Sequence, residues 1–171
     1  MRRPGFSLIE LTLVLLIVAV VSAVVVLNVR EPLRRTGMQA CLDEIATFDR
    51  LTRTLAREHD RPLRLVVDLS EGRLRRTDEA GREEQGEALR LPSGHRIAEL
   101  RLAGRTIDSG AAAVSCSARG LTPTYAVRVE GPGGWRRWVL VAGLSGQTWE
   151  PDDGKPLADI LEALGAGHHP G

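Results

Sequence analysis

Glu10 stands where a carboxylate is costly. From Phe6 to Leu27 the only polar side chains are Ser7, Glu10, Thr12 and Ser22. About 22 residues make about 33 Å of helix at ~1.5 Å per residue, enough to cross ~30 Å of hydrocarbon. An ionised carboxylate there costs roughly 2.5–3.5 kcal/mol at the centre of a bilayer and less near its surface. The chemistry that offsets such a charge is a nearby cation, and Gly5-Phe6 could supply one. A cut after Gly5 would give Phe6 a new amino group just ahead of Glu10, largely cationic at its reference pKa of ~7.7–8. Amine and carboxylate on neighbouring subunits would then neutralise each other and reward packing at a fixed axial offset. The competing account is a shallow Glu10 that reaches back to water.

Other residue groups are weaker candidates for chemistry. Gly143-Leu144-Ser145-Gly146-Gln147 approaches the nucleophile elbow G-x-S-x-G but has glutamine where the last glycine belongs, so a strand-end turn is the better account. His59, His95, His168 and His169 show no metal spacing with one another or with the cysteines. Asp152-Asp153-Gly154 could contribute carboxylates to a calcium site or form a simple turn. Cys41 and Cys116 leave two states open: a disulfide clamping a helix to a sheet, or two separate buried thiols. No glycine-rich phosphate loop is present. The expectation is a chain without catalysis, metal or cofactor.

Arg61, Arg64, Arg73, Arg75 and Arg76 form the one basic cluster, but Asp78, Glu79, Glu83 and Glu84 come directly after it. Nucleic-acid binding is therefore not the expected role, and a basic sheet face is the alternative. The full chain of 171 residues carries a formal net charge of +1, from 23 basic and 22 acidic residues. Loss of Arg2 and Arg3 with a leader would leave 21 basic residues against 22, a net −1. Nothing in that balance calls for a polyanion.

The elements that position these residues emerge from periodicity. Arg2 and Arg3 hold the first end in the cytoplasm, so the chain beyond the span faces away from it. A secretory signal has a shorter apolar core and a small-residue cleavage site; Asn28-Val29-Arg30-Glu31-Pro32 offers none. Beyond Arg30, Met38, Cys41, Leu42, Ile45, Phe48, Leu51 and Leu55 recur at spacings of three and four, one apolar helical stripe. Asp43, Glu44, Asp49, Arg50, Arg53 and Arg57 are assigned to other faces. Pro62 ends the helix. Period-two patterning then predicts strands at 63–69 and 73–76, a polar loop over 77–90, weaker strands at 96–102 and 111–116, and the clearest hairpin at 125–130 and 135–141. A last strand over 146–149 and a short helical tail near Leu157 to Leu164 complete the pattern. Trp135 and Trp138, three apart, face opposite sides of their strand.

Gly5-Phe6-Ser7-Leu8-Ile9-Glu10-Leu11 closely resembles the class III signal of type IV pilins and type II secretion pseudopilins. The resemblance implies cleavage between Gly5 and Phe6 by a membrane-embedded prepilin peptidase, which also N-methylates Phe6. It also implies that Glu10 is the assembly glutamate five residues into the mature chain. Many pilins carry a proline at the position of Leu27; here Pro32 comes five residues later. The second half resembles, less specifically, minor pseudopilins of the GspH/FimT type. It shares the Pro62-Leu-Arg-Leu-Val-Val-Asp68 strand, the Gly72-Arg73-Leu74 turn and the late hairpin closing on Leu144-Ser145-Gly146.

Together these give an α+β expectation: a long N-terminal transmembrane and amphipathic α-helix packed on an antiparallel, β-sandwich-like pilin-type domain. The implied organisation is leader 1–5, transmembrane assembly helix 6–28, amphipathic continuation 29–60, globular domain 61–156 and tail 157–171. The implied role is that of a minor pseudopilin, anchored once in the inner membrane with its domain in the periplasm. It would join a pseudopilus that drives export of folded proteins across the outer membrane. Its partners would be major and minor pseudopilins, the prepilin peptidase and the inner-membrane assembly platform. The alternatives are a FimT/FimU-type minor pilin, acting in pilus priming, adhesion or DNA uptake, and a membrane-tethered DNA-binding module.

Overall fold

A computed structural model describes residues 8–83, 88–102 and 104–151, with the backbone alone over 23–35. The chain divides into two compact units, Met1–Gly37 and Met38–Gly171. One helix, α1 (Leu8–Glu58), contributes to both. Within the first unit every described side chain from Leu8 to Ser22 is exposed.

In the second unit α1 presents Met38, Cys41, Leu42, Ile45 and Phe48 to the core, as their spacing requires. Beyond Phe48 the buried face keeps the 3.6-residue period through Asp49, Thr52, Arg53 and Ala56. Leu51 falls off that face and is 46% exposed. Asp49 and Arg53, assigned by polarity to solvent, are among the most buried residues of the chain. The helix ends in a Schellman arrangement: the Arg61 amide donates to the Ala56 carbonyl (3.1 Å) and the Asp60 amide to Arg57 (3.3 Å). Asp60 takes the left-handed conformation (φ 45°) usually left to glycine. Pro62 comes next and cannot continue the helix.

Nine strands succeed the helix among the described residues: β1 (Leu63–Asp68), β2 (Arg73–Thr77), β3 (Leu89–Arg90), β4 (Arg96–Leu102), β5 (Arg105–Ile107), β6 (Ala111–Cys116), β7 (Tyr125–Glu130), β8 (Arg136–Val141) and β9 (Thr148–Trp149). They form two antiparallel sheets, β3-β2-β1-β6 and β5-β4-β7-β8-β9. The strands expected at 63–69, 96–102 and 111–116 and the hairpin at 125–141 are present. β3 and β5 are not in the sequence expectation. Each is only two or three residues long, too short to show a period, and β3 lies in the stretch read as loop.

Inward residues of both sheets share one core with α1: Leu65, Val67, Leu74 and Val114 from the first sheet, Leu100, Val127, Val129, Val139 and Val141 from the second. Alternation makes this work, since successive residues of a strand face opposite sides; in β4 a bulge between Ile97 and Glu99 shifts the phase, so that Ile97 and Leu100 both reach the core. The tryptophans do lie on opposite sides. Trp135 packs half-buried against the main core, and Trp138 forms a small cluster with Ala126 and Leu140 on the other face of its sheet.

Candidate functional site

Two sets of residues stand out, one in each unit. In the first, Glu10 is exposed on α1. It is the one charged residue in a stretch whose other side chains, apart from Thr12 and Ser22, are apolar. Leu8 and Ile9 are each 78% exposed, and Leu11 to Val21 continue the pattern. A contiguous apolar surface of this kind marks a segment covered by lipid or by other protein. Among the described residues no helix is long and apolar enough to cross a membrane. The side chains described in this run extend from Leu8 to Ser22, about 22 Å at ~1.5 Å per residue, whereas the sequence run from Phe6 to Leu27 passes them at both ends. Gly5 and Phe6 lie outside the described residues, as do Asp152, Asp153, His168, His169 and the tail.

In the second unit a buried ion pair organises the domain. Arg53 Nε donates to Asp49 Oδ2 (2.6 Å). Its two terminal nitrogens donate to the carbonyls of Gly143 (2.6 Å), Gly120 (3.3 Å) and Ala142 (3.3 Å) and to Thr122 Oγ1 (2.5 Å). All five N–H donors of the guanidinium are thus used. The other carboxylate oxygen of Asp49 accepts from the Tyr125 hydroxyl (2.8 Å). Burial, and then the Asp49 carboxylate beside it, hold the Tyr125 phenol well above its ordinary pKa. A fully satisfied pair of this kind escapes the usual penalty of buried charge. It ties the helix to the loop before β7 and to the turn after β8.

That turn is Gly143-Leu144-Ser145-Gly146. A Cβ on Gly143 would lie 2.1 Å from the Thr122 carbonyl oxygen, and Gly146 (φ 69°) packs on the Arg53 side chain. The two glycines therefore let backbone approach backbone and guanidinium. The Ser145 hydroxyl accepts from the Gln147 amide (3.2 Å), the bond of a turn.

The remaining sequence candidates separate. Cys41 and Cys116 stand as separate, buried free thiols. Cys41 lies in the main core and Cys116 in a small cluster with Ala56 and Leu63. Burial pushes the Cys41 thiol up to about 12, with Glu44 adding to it, and raises the Cys116 thiol too. The basic cluster does not form one open patch. Arg73 and Arg75 both pair with Glu83. Arg76 turns to the helix side, donating to Thr52 (3.1 Å) with its guanidinium 4.0 Å above the Phe48 ring. Burial lowers the pKa of that guanidinium. Sequence reasoning missed the Asp49–Arg53 pair. Its only local signal is the i, i+4 spacing of opposite charges, which exposed helices share.

No family model and no curated protein matches the chain. Among solved structures it is similar to the minor pseudopilin EpsH from the Type 2 Secretion System of Vibrio cholerae. The TM-score is 0.54 at 13% identity, over 68% of this chain and 98% of that one. At that identity the likeness speaks for architecture: this chain has the pilin-like fold of a minor pseudopilin of the GspH kind.

Proposed function

We propose that this chain is a minor pseudopilin of a type II secretion system, a structural subunit that does no chemistry of its own. The observation that carries the proposal is Glu10, the single charge in the all-round apolar stretch Leu8 to Ser22. The EpsH-like fold of the rest supports it independently. A prepilin peptidase would cut between Gly5 and Phe6 and methylate the new amine. The apolar helix would hold the subunit in the inner membrane, with its globular unit in the periplasm. During assembly Glu10 would meet the Phe6 amine of a neighbouring pseudopilin. Two charges that are each costly in lipid would cancel only in the correct axial register, which makes the pair a selector as well as a glue.

The subunit would then help to prime or cap a short fibre that moves folded proteins towards the outer membrane. Energy would come from a cytoplasmic ATPase working through the inner-membrane platform. The test is Glu10→Val in the secreting cell. The variant should be cleaved and membrane-resident as before yet fail to enter the sheared fibre fraction. Unchanged incorporation and secretion would remove the assembly role.

A further inference from the structure

The two sheets differ on the faces they turn away from the core. On the first, Arg64, Val66, Asp68, Arg75, Ala113 and Ser115 are all exposed or half-buried, as the solvated side of an antiparallel sheet should be. On the second, Ala126, Trp138 and Leu140 are buried, at 0%, 6% and 3% exposure, although alternation with Val127, Val139 and Val141 turns them away from the core. Arg101 and Arg128 roof part of this patch. Their guanidinium carbons lie 4.6 and 5.6 Å from the centre of the Trp138 ring. Glu99 holds both, accepting from Arg101 Nε (2.5 Å) and Arg128 Nη1 (3.0 Å). Leu140 lies one row further along, between Ala126 and the half-exposed Trp149. Among the described residues no further buried or partly buried hydrophobic side chain packs on the three.

The course of the chain points to the cover. It leaves this sheet at β9, in the row of Leu140, and its last described residue is Pro151. The sequence beyond carries an amphipathic signature. Pro156 suits a first helical turn, Leu157, Ile160, Leu161 and Leu164 recur at spacings of three and four, and Gly165 is a stop signal. Asp159 and Glu162 fall on the opposite side of such a helix. A helix of about nine residues is not stable alone in water, so its apolar stripe needs a surface. We propose that residues 156–164 of this chain lie as an amphipathic helix across the outer face of its own second sheet, with the leucine and isoleucine stripe on Ala126, Leu140 and Trp149.

Reach and tethering both favour this occupant. The stretch from Trp149 to Leu157 spans up to about 26 Å when extended. The sheet from β9 to β4 is three strand spacings wide, about 14 Å at ~4.8 Å each, so the tail reaches every row of the patch. A tether this short also favours the chain's own tail over that of a second copy, because binding within one chain sees a far higher effective concentration. Asp159 and Glu162, turned outward, keep the covered face in contact with water through charge. The contact lies within one subunit, so it stands whether or not the subunit role proposed above does.

The experiment uses the full chain in mild detergent, with Leu140→Cys as a reporter and a second cysteine walked along the tail. Mild oxidation should bridge Leu140→Cys to one or more of Leu157→Cys, Ile160→Cys, Leu161→Cys and Leu164→Cys within a single chain, and to neither Asp159→Cys nor Glu162→Cys. In a bridged chain only Cys41 and Cys116 should titrate after non-reducing denaturation. Ala126→Cys, the neighbouring residue of the same row, should give the same pattern. With no second cysteine, Leu140→Cys should react slowly with a maleimide in the folded chain. Adding Leu161→Glu should speed that reaction several-fold while Cys41 and Cys116 stay silent, and adding Glu162→Lys should leave it slow. The proposal is overturned if no bridge forms, if both sides of the tail bridge equally, if the bridges join two chains instead of one, or if Leu161→Glu leaves the labelling unchanged.

Discussion

Replacing Arg53 with methionine tests the tie that holds the globular unit together. Methionine keeps the length and apolar stem of arginine and removes all five donors. Asp49, at 1% exposure, would keep only the Tyr125 hydroxyl. The Gly143 and Ala142 carbonyls would retain their other bonds, from the Thr122 and Gly146 amides. The dominant loss is therefore the uncompensated carboxylate, which costs about 3–5 kcal/mol when a buried pair is broken from one side. Against a total stability of about 5–15 kcal/mol for a domain, that is about a fifth or more. At about 3–5 °C per kcal/mol for a unit of this size, Tm should fall by roughly 10–25 °C. The assay is denaturant unfolding of the full chain in detergent, monitored by tryptophan fluorescence. All three tryptophans lie in the unit beginning at Met38. The double variant Asp49→Leu/Arg53→Met, which removes both charges, should recover most of the loss, leaving a coupling energy of at least about 2 kcal/mol. A single variant costing under about 1 kcal/mol would refute the account of the ion pair as the tie between helix and turns.

Three further outcomes are expected. Because the folded-state pKa of Tyr125 is raised, its contribution is complete below the ordinary tyrosine value of ~10 and is lost as pH rises beyond it. Tyr125→Phe should therefore flatten the alkaline limb of a stability-versus-pH curve, and an unchanged limb would contradict the assignment. Cys41 and Cys116 should both stay silent to a thiol reagent at about pH 8 in the folded chain, below their raised pKa values, and both react on unfolding; one or no titratable thiol after non-reducing denaturation would show a bond. Gly143→Ala should cost at least about 3 kcal/mol, the upper end for overpacking, because its Cβ would meet backbone that cannot swing aside, whereas Gly134→Ala, with open space around it, should show only the strain of its positive φ.

Much of the architecture is legible in the sequence because it is written in local periods. The stripe from Met38 to Phe48 and the alternation of Leu63 to Asp68 and Tyr125 to Glu130 each declare one buried face within a few residues. The features that stay hidden depend on partners far along the chain. Arg53 reads as a solvated helix charge until Gly120, Thr122 and Gly143, 67 to 90 residues away, are folded against it. For the same reason polarity alone puts Leu51 in the core, although the helical period carries the buried face past it to Thr52. The Leu-Ser-Gly turn is recognisable by resemblance. Its physical cause, two glycines that admit the Thr122 carbonyl and the Arg53 side chain, shows only in three dimensions. The signal proposed for Gly5, Phe6 and Glu10 is of the opposite kind, being wholly local and carried by residue type and spacing.

The central claim is that this chain enters the pseudopilin pathway, and its first committed step leaves a mark on mass. The most direct measurement is the intact mass of the protein co-expressed with a prepilin peptidase. The account predicts loss of residues 1–5 and one added methyl group on Phe6. An uncut chain in the presence of a peptidase that processes its other substrates would contradict it, leaving a pilin-like fold on an ordinary anchored protein and Glu10 without its amine.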